Sequence, residues 1–467
     1  MPVLPAGPAR AARPHRAIPA GRDLRALARR TRRRRNVGAF VLAALGAVGG
    51  VVLGLAIQAV LPLSADPADL LGAVSTLSAT VGTYGVLLLI VLISRLPALE
   101  RAYGLDRLAT WHRWIAPWAL GLIAVHLLTI VWSYGLPLGT GWWAELGTML
   151  VSSWWLALAG IATVLFALVG IVSWRVARRR IPRGVWWGLH LTTYAAVLLG
   201  FGHQITSGGP FLTGWARTLW ALLYVAALGT LLIYRVVVPL VGNAIQQMRV
   251  VAVTAENNDI VSVVIGGRHL DRLHTEAGQF FQWRFDHPGL LLESHPWSVS
   301  GIGPNLLRIT VRTLGDASSR LISVPVGTRV FAEGPYGAVT AGAVAPVERR
   351  RTVLIAGGVG IAPVLALAHR LAGQVPVAVI YRASSLDAMV HLDELGSLER
   401  RGVRVYLMPG PRRSYPLHPA HLAATVGRLD DAEVYLCGPA SLIRTVTASA
   451  RALGAEPAHI HHDTFQL

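Results

Sequence analysis

The chain has 467 residues, room for two or three domains, and is 53% hydrophobic with only 14% of its residues charged. Its mean hydropathy of +0.50 is too high for an ordinary soluble protein of this size. The formal net charge is +19, its basic part is all arginine because no lysine occurs, and a single cysteine, Cys437, excludes an internal disulfide framework or a cysteine-rich metal site.

Residues 1–35 are rich in Ala, Pro and Arg and end in RRTRRRR at 29–35. They hold too few large apolar residues to bury a core, so a disordered basic tail is expected. The arginine run is read as the flank of the next helix, in preference to a nucleic-acid-binding segment. Six apolar stretches follow, over 37–61, 70–94, 114–134, 150–174, 185–206 and 216–240. Each is near the ~20 residues that span a bilayer. The first is too long, and too closely followed by others, for a removed signal peptide. Arginines cluster before the first stretch (29–35), between the second and third (Arg95, Arg101, Arg107, Arg113) and between the fourth and fifth (Arg175, Arg178, Arg179, Arg180, Arg183). The opposite loops carry Asp66, Asp69 and Glu145, with Arg217 near the sixth stretch. The positive-inside rule then places the N-terminus, and everything after residue 241, in the cytoplasm.

The composition changes near Asn243. Short alternating runs (MRVVAV, IVSVVIG, FFQWRF, LLRITVR, TRVFAEG) separated by turn residues predict a small antiparallel barrel. From Arg350, apolar runs (TVLIAGG, VPVAVIYR, VRVYLMPG, AEVYLCGP) alternate with helical segments and predict a parallel α/β domain. No internal repeat is visible.

Between residues 36 and 241 there are four histidines, His112 and His126 on the third stretch and His190 and His203 on the fifth. Ionisable residues inside a membrane are costly and mark functional sites. The separations of 14 and 13 residues correspond to roughly 21 and 20 Å of helix. On neighbouring parallel helices, His112 faces His190 at one level and His126 faces His203 at the other. Two opposed imidazoles at each level suit the two axial positions of a haem iron. The alternatives are histidines hydrogen-bonded between helices and a metal-ion site, for which no nearby Asp, Glu or Cys completes a shell. The phases disagree: His126 lies within about 40° of His112, whereas His203 lies about 140° from His190. Either the second level is approached from another direction, or the fifth helix bends at Gly200 and Gly202.

In the C-terminal half, HPWSVSG (295–301) ends the third strand-like run, and VRTLGDASSRL (311–321) joins a strand to a short helix whose N-terminus suits an anion, with Arg312 adding charge. EGPYGAV (333–339) offers Gly334, Tyr336 and Gly337 to a flat ligand. LIAGGVGIAP (354–363) follows a strand and opens a helix, a setting that lets a phosphate approach the backbone. Its glycines are Gly357, Gly358 and Gly360, in a GxGxxP pattern distinct from the dinucleotide fingerprint. YLCGP (435–439) ends another strand on the same sheet edge.

HPWS, GDAS, GPYG, GGVGIAP and CGP occur in the order found in the ferredoxin–NADP reductase superfamily. Together with the four histidines, the chain resembles the NADPH oxidase and ferric reductase family over roughly residues 70–467. The resemblance implies a multi-domain membrane protein with four segments: a basic cytoplasmic tail (1–35), a six-helix transmembrane haem-binding bundle (36–243), an antiparallel β-barrel FAD domain (244–348) and a parallel α/β NAD(P)-binding domain (349–467). It implies a cell-membrane oxidoreductase that takes electrons from cytoplasmic NAD(P)H through FAD and two b-type haems to an external acceptor, dioxygen or a ferric chelate. Its implied partners are the lipid bilayer, NAD(P)H and that acceptor, with no nucleic acid.

Carried over by residue, His295, Pro296, Trp297 and Ser298 match the flavin motif, with Trp297 in place of the usual phenylalanine or tyrosine and Ser298 as hydrogen-bond partner of the flavin ring. Gly315, Asp316, Ala317 and Ser318 match the pyrophosphate clasp. Gly357, Gly358, Gly360 and Pro363 match the nicotinamide-nucleotide loop, and Cys437, Gly438 and Pro439 its nicotinamide side. Phe465 stands near the place of the C-terminal aromatic beside the flavin. Arg382 with Ser384 or Ser385, in a stretch without an acidic residue, favours NADPH, with NADH as the alternative. The competing reading is a haem-free, membrane-anchored flavin reductase serving a partner protein.

Overall fold

A computed structural model describes residues 24–207, 209–344 and 351–463. The chain divides into a helical unit, Arg34–Val238, and a second unit built mainly from Pro239 onward.

The helical elements are α1 (Leu24–Val60), α2 (Pro67–Ile93), α3 (Pro97–Tyr103), α4 (Leu105–Leu138), α5 (Trp142–Ser152), α6 (Trp154–Ser173), α7 (Arg175–Arg178), α8 (Arg183–Gln204), α9 (Gly214–Leu232) and α10 (Val238–Gln246). The expected disordered tail is corrected over its described part. Residues 24–35 are the first turns of α1, as Leu, Ala and Arg, all good helix formers, allow. The fourth apolar stretch is also corrected: it breaks at Ser153, an extended residue whose Oγ accepts the Trp155 N–H, so α5 and α6 are separate helices.

Five stretches among the described residues are long and apolar enough to cross a membrane: Arg29–Val60, Pro67–Ile93, Leu105–Leu138, Trp154–Ser173 and Gly214–Gln246. The last joins α9 to α10 through a π-helical turn, Ile233–Val237. The 22-residue α8 has the length, but His190, Thr192, Thr193, His203 and Gln204 dilute its apolar character. α4 packs along α2, and α8 along α6. Small residues allow the first approach: a Cβ added at Gly82 would stand 3.0 Å from Leu122 Cβ, and one at Gly85 3.1 Å from Ala119 Cβ.

The second unit holds two sheets. β1 (Arg249–Asn257), β2 (Ile260–Gly266), β3 (Phe280–Phe285), β4 (His295–Gly303), β5 (Leu306–Arg312) and β6 (Val330–Tyr336) pair antiparallel in the order β1-β2-β5-β4-β3-β6. The two edge strands meet where Arg249 bridges Arg329 and the Val330 N–H bonds the Met248 carbonyl at 2.9 Å. Phe281, Trp283, Phe285, Val299 and Ile309 fill the enclosed face. One-turn helices α11 (Asp316–Ser319) and α12 (Ala341–Val344) flank β6 in sequence.

The second sheet is parallel, in the order β11-β10-β7-β8-β9. Its elements in chain order are β7 (Arg351–Gly357), α13 (Ile361–Leu371), β8 (Val377–Ala383), α14 (Leu392–Glu399), β9 (Arg404–Pro409), α15 (Pro419–Val426), β10 (Ala432–Cys437), α16 (Ala440–Ala452) and β11 (Ile460–Asp463). Apolar clusters cover both faces, which explains why β7, β8 and β10 read as continuous apolar runs.

Candidate functional site

The four membrane-unit histidines form two facing pairs. His112 and His190 have ring centroids 6.2 Å apart, and His126 and His203 6.4 Å apart. Two imidazoles sharing one metal ion at ~2.0 Å per metal–nitrogen bond have centroids about 6.3 Å apart. A direct N–H···N hydrogen bond between the rings would bring them closer. α4 and α8 share no packed backbone seam among the described residues, so the imidazoles face each other across space between helices.

Hydrogen bonding orients the α4 rings. His112 Nδ1 lies 3.3 Å from the Leu89 carbonyl. A carbonyl only accepts, so Nδ1 carries the proton and Nε2 keeps its lone pair. His126 Nδ1 lies 2.7 Å from Ser75 Oγ and 3.3 Å from the Ser75 carbonyl, with the same consequence. These are the outer partners expected behind metal-binding histidines. The Nδ1 atom of His190 is buried without a hydrogen-bond partner among the described residues, whereas the His203 ring has the Gly200 backbone beside it. Trp186 stacks on His190 at 4.9 Å and carries the Arg178 guanidinium 4.4 Å above its ring. Trp155 fills the space beside Gly202, where any added Cβ would land on its ring. Sequence reading missed these supports; Trp186 alone had a local signal, one helical turn before His190. α8 is helical throughout, Gly200 and Gly202 included, and carries both of its histidines into these pairs.

In the antiparallel sheet, register joins two motifs that lie far apart in sequence. Buried Ser298 on β4 pairs with Phe280 on β3, which pairs with Tyr336 on β6. HPWS and GPYG therefore flank one strand. Trp297 stacks on His295 at 4.9 Å, and its carbonyl accepts the Trp283 indole N–H at 2.9 Å. Pro296 stands opposite Gln282. Gly334 has φ +151°, and a Cβ there would stand 2.7 Å from the Phe281 ring; Gly337 has φ +105°. Both need glycine. Gly315 precedes the single turn α11, which begins with Asp316 and Ala317, and its N–H is taken by Ser318 Oγ at 3.1 Å. Arg312 is at the surface, 3.5 Å from Asp259.

The parallel sheet reverses its strand order between β7 and β10, the switch point at which open α/β sheets bind ligands. Gly357 ends β7 beside Arg382 on β8, and Cys437 ends β10 beside Ala356. The glycines divide the work. A Cβ at Gly357 would stand 2.6 Å from Leu442 Cδ2 and 3.0 Å from Pro439 Cδ, and one at Gly360 would land on the Cys437 carbonyl oxygen. Gly358, at φ +57°, faces open space. Gly360→Ala should therefore lower the thermal midpoint sharply. Gly358→Ala should cost about 1–2 kcal/mol from its left-handed backbone and weaken nucleotide binding while the fold persists. Thermal unfolding and nucleotide titration of both variants separate these roles, and equal thermal losses would contradict the division. Pro363 sits in the first turn of α13, where its missing N–H costs nothing.

The Cys437 side chain is fully buried in the apolar cluster under α13. Burial, then the Asp463 charge, pushes its thiol well above the ordinary range, so the strand end contributes backbone rather than a thiolate. Gly438 and Pro439 continue past it into α16. Arg382 is half-buried, and its Nε has no hydrogen-bond partner among the described residues. Burial, then the neighbouring Arg412 charge, lowers its pKa. Two guanidiniums converging this way suit an anion. Ser384 is exposed, and Ser385 Oγ accepts the Ala388 N–H at 3.3 Å. Phe465 lies outside the described residues.

Residues 78–201 match the family described as ferric reductase like transmembrane component, and residues 245–340 match an FAD-binding domain family. Among curated relatives, the toluate 1,2-dioxygenase electron transfer component of Pseudomonas putida is 30% identical over 166 residues, 32% of this chain and 47% of the relative. A flavohemoprotein of Xylella fastidiosa is 27% identical over 219 residues, 41% of this chain and 51% of the relative. The chain thus spans about half the length of these two relatives. Among solved structures, the ferredoxin reductase in carbazole 1,9a-dioxygenase is 20% identical at a TM-score of 0.40, covering 47% of this chain and 69% of that one. The flavohem-like FAD/NAD-binding domain of nitric oxide dioxygenase from Vibrio cholerae is 24% identical at a TM-score of 0.39, covering 47% of this chain and 98% of that one.

Proposed function

Because the chain belongs to the ferric reductase and NADPH oxidase family, whose transmembrane and FAD-binding domains it carries in order, and is an oxidoreductase, we propose that it moves electrons across the cell membrane. NADPH on the cytoplasmic face yields NADP⁺, a proton and two electrons, and two one-electron acceptors on the outer face, dioxygen or ferric chelate, are reduced. The observation that carries this reading is the pair of facing imidazole couples, at 6.2 and 6.4 Å, on two helices of the membrane unit.

Bound FAD and two b-type haems would supply the conversion of a hydride pair into single electrons and their conduction across the membrane. The positions of the residues support the following roles. His112 with His190, and His126 with His203, would hold the two irons; the Leu89 carbonyl and Ser75 orient the rings on α4. Trp186, held under Arg178, keeps the His190 ring from turning. Ser298 presents its hydroxyl to the flavin ring beside Phe280 and Tyr336. Gly358 admits the nucleotide phosphate, and Arg382 with Arg412 reads a 2′-phosphate. α8 serves as the sixth span, made less apolar by the residues it needs for its task, and the edge strands β1 and β6 close the FAD domain as a barrel. The arginine-rich flanks support an orientation with the N-terminus and the flavin and nucleotide domains on the cytoplasmic side.

The test is composition. Purified protein should hold two haems for each FAD, measured by pyridine haemochrome against released flavin. Flavin without haem would replace this reading by a membrane-anchored flavin reductase.

A further inference from the structure

A polar cluster joins the antiparallel and parallel sheets of the second unit. Arg308 on β5 binds both carboxylate oxygens of Glu394 on α14, with its second contact, Nη2 to Oε2, at 3.0 Å. His369 on α13 approaches the same carboxylate at 3.2 Å. His391, next to the start of α14 and with its side chain only 4% exposed, places Nε2 3.0 Å from Thr310 Oγ1 and Nδ1 3.5 Å from Glu394 and 3.9 Å from Glu256. Thr310 donates to Ser300 Oγ at 2.8 Å and lies 3.0 Å from Ser262 Oγ. Burial alone would raise the Glu394 carboxyl, but hydrogen bonds from His369, His391 and Arg308 outweigh it and hold it well below the ordinary carboxylate range.

The chain between the two anchors matters most. β8 ends at Arg382 and Ala383, and the loop 384–391 runs from there to His391. Along it, Asn257 of the β1–β2 turn donates to the Asp387 carbonyl at 3.2 Å, and the Val390 N–H bonds the Tyr381 hydroxyl at 3.2 Å. The loop leaving the nucleotide-reading strand is thus fastened to the antiparallel sheet at Asn257 and Thr310, and at Arg308 through α14. A half-buried, bidentate, multiply bonded ion pair is geometrically demanding to assemble and rigid once made. A packing role alone does not call for that geometry.

We propose that loop 384–391 and α14 form an interdomain latch, with Arg308 and Glu394 as its central positioning pair, that holds the Arg382 nucleotide site in fixed register with the flavin strand β4. The proposal rests on the reading of the chain as a nucleotide-dependent flavin oxidoreductase. Neither Arg308 nor Glu394 touches the reacting atoms; both act through the position of the nucleotide domain. Hydride transfer is sensitive to such placement, with a shift near 1 Å costing on the order of 100-fold.

The test uses the full-length protein in detergent, anaerobically, with Glu394→Gln, Arg308→Lys and the milder surface variant Asn257→Ala. Flavin reduction is followed by stopped flow at saturating NADPH, beside reduction by dithionite. The latch predicts about 10- to 100-fold slower reduction by NADPH in Glu394→Gln, a smaller loss in Arg308→Lys, a loss of a few-fold in Asn257→Ala, and unchanged reduction by dithionite. Hydrogen exchange is measured on the same samples, and in Glu394→Gln it should rise together at residues 384–394 and 306–312. A wild-type rate at saturating NADPH in Glu394→Gln, with only a lowered melting point, would overturn the latch. If the wild-type flavin accepts no electrons from either nucleotide, the functional reading fails instead. Hydrogen exchange still decides the latch in that case: a joint rise supports it and unchanged exchange at 306–312 refutes it.

Discussion

His126→Ala is expected to lower haem content by about half and to reduce acceptor turnover to the level of membranes lacking the protein, because one of two bis-histidine sites loses an axial ligand. Flavin reduction by NADPH should keep its rate, since the variant lies in the other structural unit. Ser75→Ala is the graded companion. Ser75 Oγ stands 2.7 Å from His126 Nδ1, and loss of such an outer partner typically weakens metal binding by about 10- to 100-fold. Haem retention through dilution and washing reads both variants. Full haem content and turnover in His126→Ala would show that the imidazole pairs are structural.

Arg382→Ala is expected to raise the Kd for NADPH by roughly 10- to 100-fold, the value of about 1.5–3 kcal/mol for a hydrogen bond to a charged group. NADH binding should change little, because the 2′-phosphate is what distinguishes the two nucleotides. Arg412→Ala should act in the same direction but more weakly: it is exposed and contributes charge from a distance. The NADPH preference should also shrink with rising salt. Titration of flavin reduction with each nucleotide measures this. Parallel losses for NADPH and NADH would assign Arg382 to general phosphate binding or to the fold.

The histidine pairing was legible because intramembrane ionisable residues are rare, and two helices carrying them at nearly equal spacing leave few arrangements. Helical phase left two routes open at the second level, an approach from another direction or a bend in α8; the His126–His203 pair forms on an α8 that is helical throughout, and α4 carries a proline, Pro117, between its two histidines. The break at Ser153 was hidden by an apolar run that continues on both sides of it. The flavin and nucleotide loops were legible as motifs, but their register through Phe280 follows from sheet pairing, which no local pattern encodes. Cys437 was placed correctly at a strand end, but side-chain alternation turned its thiol into the core. The Arg308–Glu394 contact joins residues 86 apart, and each alone reads as an ordinary surface charge.

The most direct measurement is the visible spectrum of anaerobic membranes containing this protein, recorded before and after NADPH. Transmembrane transfer predicts rapid growth of reduced low-spin haem bands that disappears in His112→Ala and is reversed on admitting dioxygen or ferric chelate. Bleaching of flavin alone, with no haem bands at any stage, would contradict it.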